Sequence, residues 1–228
     1  MKMLCIKHIG FEGPGAIAQW AQQNGHELDI APLYHDHHLP SPEGYDAILI
    51  MGGPMNVYEE DKYPWLAKEK SYIRGAIASG KHVLGVCLGA QLIAVSMGAK
   101  ITANENKEIG WFPINRTEDC PTTFSMPKTL KVFHWHGDTF EIPQGAHRIA
   151  SSDACFNQGF VHHSKVLALQ CHLEMTPESL TLLATSCSNE LVHAPYIQNM
   201  ERLQREPAET YQLMHQALYA LLDAWARK

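Results

Sequence analysis

Three short apolar runs, at residues 4–8, 45–51 and 82–86, constrain this chain more than any other feature. A run of that length without polar alternation suits a strand buried on both faces, and such strands belong to parallel sheets covered by helices. The intervening segments supply those helices. Residues 16–23 follow a glycine-bearing turn at 10–15, and residues 63–79 carry Trp65, Ile73 and Ile77 at helical spacing before Gly80. A further strand is expected at residues 26–31. This alternation predicts an α/β chain with a mostly parallel, open, twisted sheet and helices on both faces. Ligands of such sheets bind beyond the carboxyl ends of the strands.

The pattern changes between residues 100 and 170, where short β-rich segments at 109–114, 130–135, 148–151 and 166–170 predict a small mixed extension. At 207–228, Tyr211, Met214, Leu218, Leu221, Leu222 and Trp225 fall on one helical face, which predicts a terminal helix docked on the body. With 228 residues, 45% of them hydrophobic, and no repeat or linker, residues 1–228 read as a single domain. The net charge of −6, with 18 Lys and Arg dispersed along the chain, argues against a nucleic-acid or anionic-membrane surface. No run is long and apolar enough for a bilayer. The first residues lack an apolar stretch of signal-peptide length, so the expected location is the cytoplasm.

Six cysteines, at 5, 87, 120, 155, 171 and 187, form no CxxC pair and no zinc-knuckle spacing. His35-Asp36-His37-His38 reads as a solvated loop, and Gly10, Gly13 and Gly15 are in the wrong order for a dinucleotide fingerprint. No metal and no cofactor are therefore expected. His162-His163 reads as a hairpin tip.

Chemistry concentrates in three places. Gly85-Val86-Cys87-Leu88-Gly89 puts a cysteine between a strand and the helix at residues 88–97, in the small-x-nucleophile-x-small form of a nucleophile elbow. A helix N-terminus there favours thiolate over thiol. Cys171-His172-Leu173-Glu174 follows another strand, and the spacing of two lets the carboxylate touch the imidazole and fix its tautomer. Met51-Gly52-Gly53-Pro54 ends the 45–51 run, where a glycine N–H could approach a substrate oxygen. Each motif alone also fits a plainer role: a buried cysteine before a helix, a polar strand end, a strand-ending turn.

Taken together and in this order, the Gly-Gly-Pro turn, the Gly-Val-Cys-Leu-Gly-Ala-Gln elbow and the later His-x-Glu resemble the class I glutamine amidotransferases. The resemblance implies a flavodoxin-like, three-layer fold and no cofactor. It implies a triad of Cys87 as nucleophile, His172 as base and later acid, and Glu174 as orienting carboxylate. It further implies oxyanion N–H groups from Gly53 and Leu88, and substrate contacts from Gln91, Trp135 and Gly137. The family pattern has proline where this chain has Leu173, which is expected to loosen the turn carrying Glu174. The implied chemistry opens a γ-carboxamide through a cysteine thioester, giving glutamate and ammonia. The motifs at 108–111 and 134–140 are similar to those of stand-alone members related to the glutaminase domain of GMP synthase and to γ-glutamyl peptidases. Three readings follow: a glutaminase, which could serve a separate ammonia-accepting synthase subunit; a γ-glutamyl peptidase acting alone; and a catalytically silent binding module on the same fold.

Overall fold

The computed structural model describes residues 1–227. Nine strands form one sheet in the order β2-β1-β3-β4-β9-β8-β7-β5-β6. The strands β1 (Lys2–Lys7), β2 (Glu27–Pro32), β3 (Ala47–Ile50), β4 (His82–Val86) and β9 (Val166–Leu169) run parallel to one another. They carry the apolar runs seen in the sequence, and β3, β4 and β9 are buried at every residue. The remainder, β8 (Gly159–His162), β7 (His147–Ser151), β5 (Ile101–Arg116) and β6 (Thr129–Phe140), continue the same sheet antiparallel. The expected flavodoxin-like arrangement is therefore present, with the strand order reversing between β1 and β3.

Strand alternation divides the core in two. Met3 and Cys5 of β1 face one cluster, which includes Trp20, Leu180, Leu218 and Trp225. Those residues belong to α1 (Gly15–Gln23), α5 (Pro177–Ser186) and α7 (Ala208–Trp225). Leu4 and Ile6 face the other cluster, beneath α3 (Trp65–Ala78) and α4 (Leu88–Ser96). Two short helices, α2 (Leu33–Asp36) and α6 (Met200–Gln204), add the buried Leu33 to the second cluster and Leu203 to the first. The terminal helix docks through the face predicted for it. Met214, Leu218, Leu221 and Leu222 are fully buried, each contributing roughly 1.5–3 kcal/mol of gross transfer energy. Trp20 Nε1 donates to Asp223 Oδ1 at 2.8 Å and ties α7 to α1.

The β-rich part is larger than the sequence suggested. β5 and β6 span 16 and 12 residues, because pairing with β6 carries Ile101–Ala103 through polar sequence to a bulge before Glu108. β8 escaped notice because only four residues separate its start from a turn in which His163 and Ser164 both take positive φ. That turn is the expected hairpin tip. It precedes β9, whereas His172 follows it, so His162 and His163 lie at the far end of the strand from the motif residues. Among the described residues no helix is long and apolar enough to cross a membrane.

Candidate active site

The carboxyl ends of β1, β3, β4 and β9 bring the three motifs together. Cys87 is the single residue between β4 and α4, with φ 52° and ψ −110°. A non-glycine residue in that region costs roughly 1–3 kcal/mol, so the surroundings must impose it. They do so through Cys87 N–H donating to Leu169 O at 2.8 Å and Gln91 N–H donating to Cys87 O at 3.1 Å. The flanking glycines are needed for close approach. A Cβ on Gly89 would overlap the Ile50 carbonyl, and one on Gly85 would press into the Gly89 backbone.

His172 is pinned by its backbone N–H, which donates to Phe133 O at 2.8 Å. Its Nδ1 lies 2.7 Å from Glu174 Oε1. With Nδ1–H given to the carboxylate, Nε2 is the ring nitrogen left free to act on Cys87. The turn expected to loosen without proline is held instead by another element. Glu174 O accepts from Ala16 N–H at 2.9 Å, so the first turn of α1 anchors it. Gly15, at φ +46°, makes room for that carbonyl, since a Cβ there would overlap it.

Burial disfavours the His172 imidazolium, but Glu174 and Cys87 together outweigh it and hold the imidazole well above its ordinary value. Cys87 differs from expectation. Burial pushes its thiol up, and the hydrogen bond and charge of His172, with the Leu88 N–H, only partly offset this. The helix N-terminus does not by itself make a thiolate here.

Cys87 opens onto a cleft of about 240 Å³ bounded by Gly53, Leu88, Gln91, Trp135 and Gly137, whereas His172 and Glu174 lie outside its lining, beside Glu12. Gly53 and Leu88 are packed together, a Cβ on the glycine meeting Leu88 Cδ2 at 3.2 Å. Gln91 Nε2 donates to Gln170 Oε1 at 3.1 Å, and Gln170 Nε2 lies 3.7 Å from the Cys87 sulfur. The Trp135 carbonyl lies 3.6 Å from that sulfur, while its indole N–H donates to Glu190 Oε1 at 3.1 Å.

Four side chains carry the site without having been legible. Glu12, in the loop after β1, sets its carboxylate against Gly52, where a Cβ would overlap Oε2. Burial raises its pKa, Glu174 adds to the rise, and His172 opposes it. His8, at the end of β1, is fully buried between Gly52 O (3.1 Å from Nδ1) and Glu69 Oε1 (2.9 Å from Nε2). Burial acts against its cation, yet Glu69 raises its pKa overall. It thereby braces the Gly52-Gly53 turn. Lys107 and Glu190 form an ion pair of 3.0 Å at the cleft rim. The only advance signal was position: Glu12 lies in a loop following a parallel strand. By contrast, His35, Asp36, His37 and His38 are all exposed.

The sequence model described as glutamine amidotransferase class-I matches residues 15–186 of this chain. The glutamine amidotransferase-like protein YfeJ of Salmonella typhimurium is 30% identical over 98% of this chain and 96% of its own length. The glutamine-hydrolysing GMP synthase of Campylobacter fetus is 30% identical over 75% of this chain, which spans only 33% of that synthase. A solved glutamine amidotransferase of Thermotoga maritima superposes with a TM-score of 0.90 at 29% identity, covering 100% of this chain and 99% of its own.

Proposed function

The chain belongs to the class I glutamine amidotransferase family, and from that premise we propose that it hydrolyses the γ-carboxamide of glutamine through a thioester on Cys87. The observation that carries this reading is the Glu174–His172 pair at 2.7 Å together with a cysteine held at a strained strand-to-helix junction in an open cleft. Such a set of groups is what nucleophilic acyl transfer requires.

In the proposed reaction His172 Nε2 takes the thiol proton as the sulfur attacks the γ-carbonyl carbon. Glu174 stabilises the imidazolium that results, offsetting the burial that keeps Cys87 neutral. The carbonyl oxygen becomes an oxyanion beside the backbone N–H groups of Gly53 and Leu88, which would stabilise it more than they do the planar amide. His172 then returns its proton to the departing ammonia. A water, deprotonated by the same imidazole, splits the thioester to glutamate and regenerates the thiol. Gln91 and Gln170 border the sulfur, while Trp135, Gly137, Lys107 and Glu190 bound the part of the cleft available to the charged amino-acid end.

The nitrogen is proposed to leave as ammonia for a separate synthase subunit, a reading supported by the similarity to part of a GMP synthase. The test is a panel of glutamine, γ-glutamyl peptides and γ-glutamyl amides, with glutamate and ammonia release followed together. Equimolar glutamate and ammonia from glutamine supports the proposal. Turnover of γ-glutamyl peptides with none of glutamine replaces it by a γ-glutamyl peptidase. A Cys87 that a glutamine-analogue electrophile fails to label would leave a binding module.

A further inference from the structure

A second cluster of titratable side chains lies in the β5–β6 ribbon and takes no part in the proposed chemistry. Glu108 of β5 stands opposite His136 of β6, and His134 is two residues away on the same face of that strand. All three are buried, at 1%, 6% and 0% exposure for Glu108, His136 and His134.

The hydrogen-bond inventory of this cluster is unbalanced. His134 Nε2 lies 3.3 Å from Phe112 O, and His136 Nδ1 lies 3.0 Å from Asp138 O. A carbonyl oxygen only accepts, so each ring gives its N–H outward. The inner nitrogens, His134 Nδ1 and His136 Nε2, then present lone pairs toward Glu108 Oε2, at 3.4 and 3.3 Å. Gln158 Nε2, at 3.4 Å, can donate to His136 Nε2, so His134 Nδ1 is the inner nitrogen left with no donor. Ser152 Oγ at 2.9 Å and Gln158 Nε2 at 2.7 Å donate to that Oε2 and orient the carboxylate. Glu108 Oε1, His134 Nδ1 and Gln158 Oε1 are left buried without a partner.

Something positive belongs among these groups. A proton on His134 Nδ1 would serve that ring alone and leave Glu108 Oε1 without a partner. A metal ion serves all three, and one donor atom from each residue falls within a 4.8 Å span. Zinc bonds of about 2.0–2.2 Å to nitrogen and oxygen imply ligand-to-ligand edges of roughly 3.3–3.5 Å in a tetrahedron, which the 3.3 and 3.4 Å separations match. Backbone carbonyls on the outer ring nitrogens, and hydroxyl and amide donors on the carboxylate, are the outer partners that bound histidine and glutamate ligands take.

We propose that Glu108, His134 and His136 form a binding site for one divalent cation of the zinc type, bracing the part of β6 that carries Trp135 and Gly137 along the cleft. The fourth position is left for a water. The role is structural, and it stands whether or not Cys87 performs the proposed hydrolysis.

The test uses the whole chain, stripped with a chelator and titrated with Zn²⁺ or Co²⁺. Because Cys87 and His172 could themselves bind a soft cation, the titration is run on wild type and on Cys87→Ser. About one equivalent in both is expected, with visible Co²⁺ bands of a tetrahedral or five-coordinate ion. A melting temperature roughly 5–10 °C higher is expected at a hundredfold excess over Kd. Glu108→Gln and His136→Asn, checked for native circular dichroism, should each bind at least a hundredfold more weakly. Failure of the wild type to take up Zn²⁺ overturns the proposal. So does uptake that disappears in Cys87→Ser, or uptake that persists undiminished in both ligand variants.

Discussion

One buried histidine–carboxylate group follows β9 and another lies in the β5–β6 ribbon, and their histidines are driven in opposite directions. His172 is held well above its ordinary pKa, whereas His134 is pushed down to about 4. Both imidazoles are removed from water, and burial alone would lower both. The difference lies in the carboxylate. Glu174 sits 2.7 Å from His172 and serves only that ring, while Glu108 is 3.4 Å from His134, shares its Oε2 with His136, and is also held by Ser152 and Gln158. A dedicated carboxylate makes a proton acceptor. A divided one leaves lone pairs.

The sharpest way to break this division is to remove each group in turn. Cys87→Ser is expected to abolish glutamine turnover and covalent labelling, with a loss of order 10⁶-fold in kcat as for other triad nucleophiles. Glu174→Gln should reduce kcat by about 10⁴-fold while substrate still binds, because an amide in that place stabilises the wrong tautomer and no imidazolium. Steady-state assays with glutamine measure both. If Glu108→Gln reduced kcat as severely as Glu174→Gln, the assignment of chemistry to one cluster and not the other would collapse.

The reading from sequence alone was uneven for a physical reason. The parallel core was legible because β3, β4 and β9 are buried on both faces and write themselves as apolar runs. The residues proposed for chemistry were legible because a nucleophile, its base and its turn lie beside strand ends with distinctive neighbours. Glu12, His8 and Glu190 were not, because each acts through a contact distant in sequence: Glu12 reaches Gly52, His8 reaches Glu69, and Glu190 reaches Trp135. The Glu108 cluster was hidden for the same reason. Its members alternate along two paired strands, and only the register of β5 against β6 superimposes them. Leu173 misled in the other direction. The proline it replaces suggested a slack turn, yet α1 supplies the restraint.

That restraint offers a smaller test. Gly15→Ala places a Cβ against the Glu174 carbonyl at a backbone φ of +46°. It should destabilise the fold by about 1–3 kcal/mol and lower kcat by moving Glu174 away from His172. Denaturant unfolding and turnover measure the two effects. The pH dependence of stability carries a definite sign as well. His172 has a folded pKa raised above the unfolded value of 6.5. Its contribution is therefore fully present below about pH 6.5 and is lost as pH rises through the folded value. The stability gap between wild type and Glu174→Gln should be widest on the acid side and close on the alkaline side. A gap that widened with rising pH would show that Glu174 does not act by holding the imidazolium.

The mildest expected effect belongs to Glu12, which has no hydrogen-bonded histidine and yet lies beside both Cys87 and His172. Its charge disfavours the thiolate, since a carboxylate close to sulfur repels the anion. Its own pKa is raised by burial and by Glu174, with His172 opposing the rise. Glu12→Gln removes the repulsion while keeping the shape. Haloacetamide alkylation of Cys87 should then begin at a pH lower by about one unit, an amount equivalent to about 1.4 kcal/mol. The same substitution should leave the onset unchanged when His172 is also replaced only if Glu12 acts through the imidazole. An onset that falls in both backgrounds places the repulsion directly on the sulfur, which is the outcome the packing of Glu12 against Gly52, next to the Cys87 Cβ, predicts.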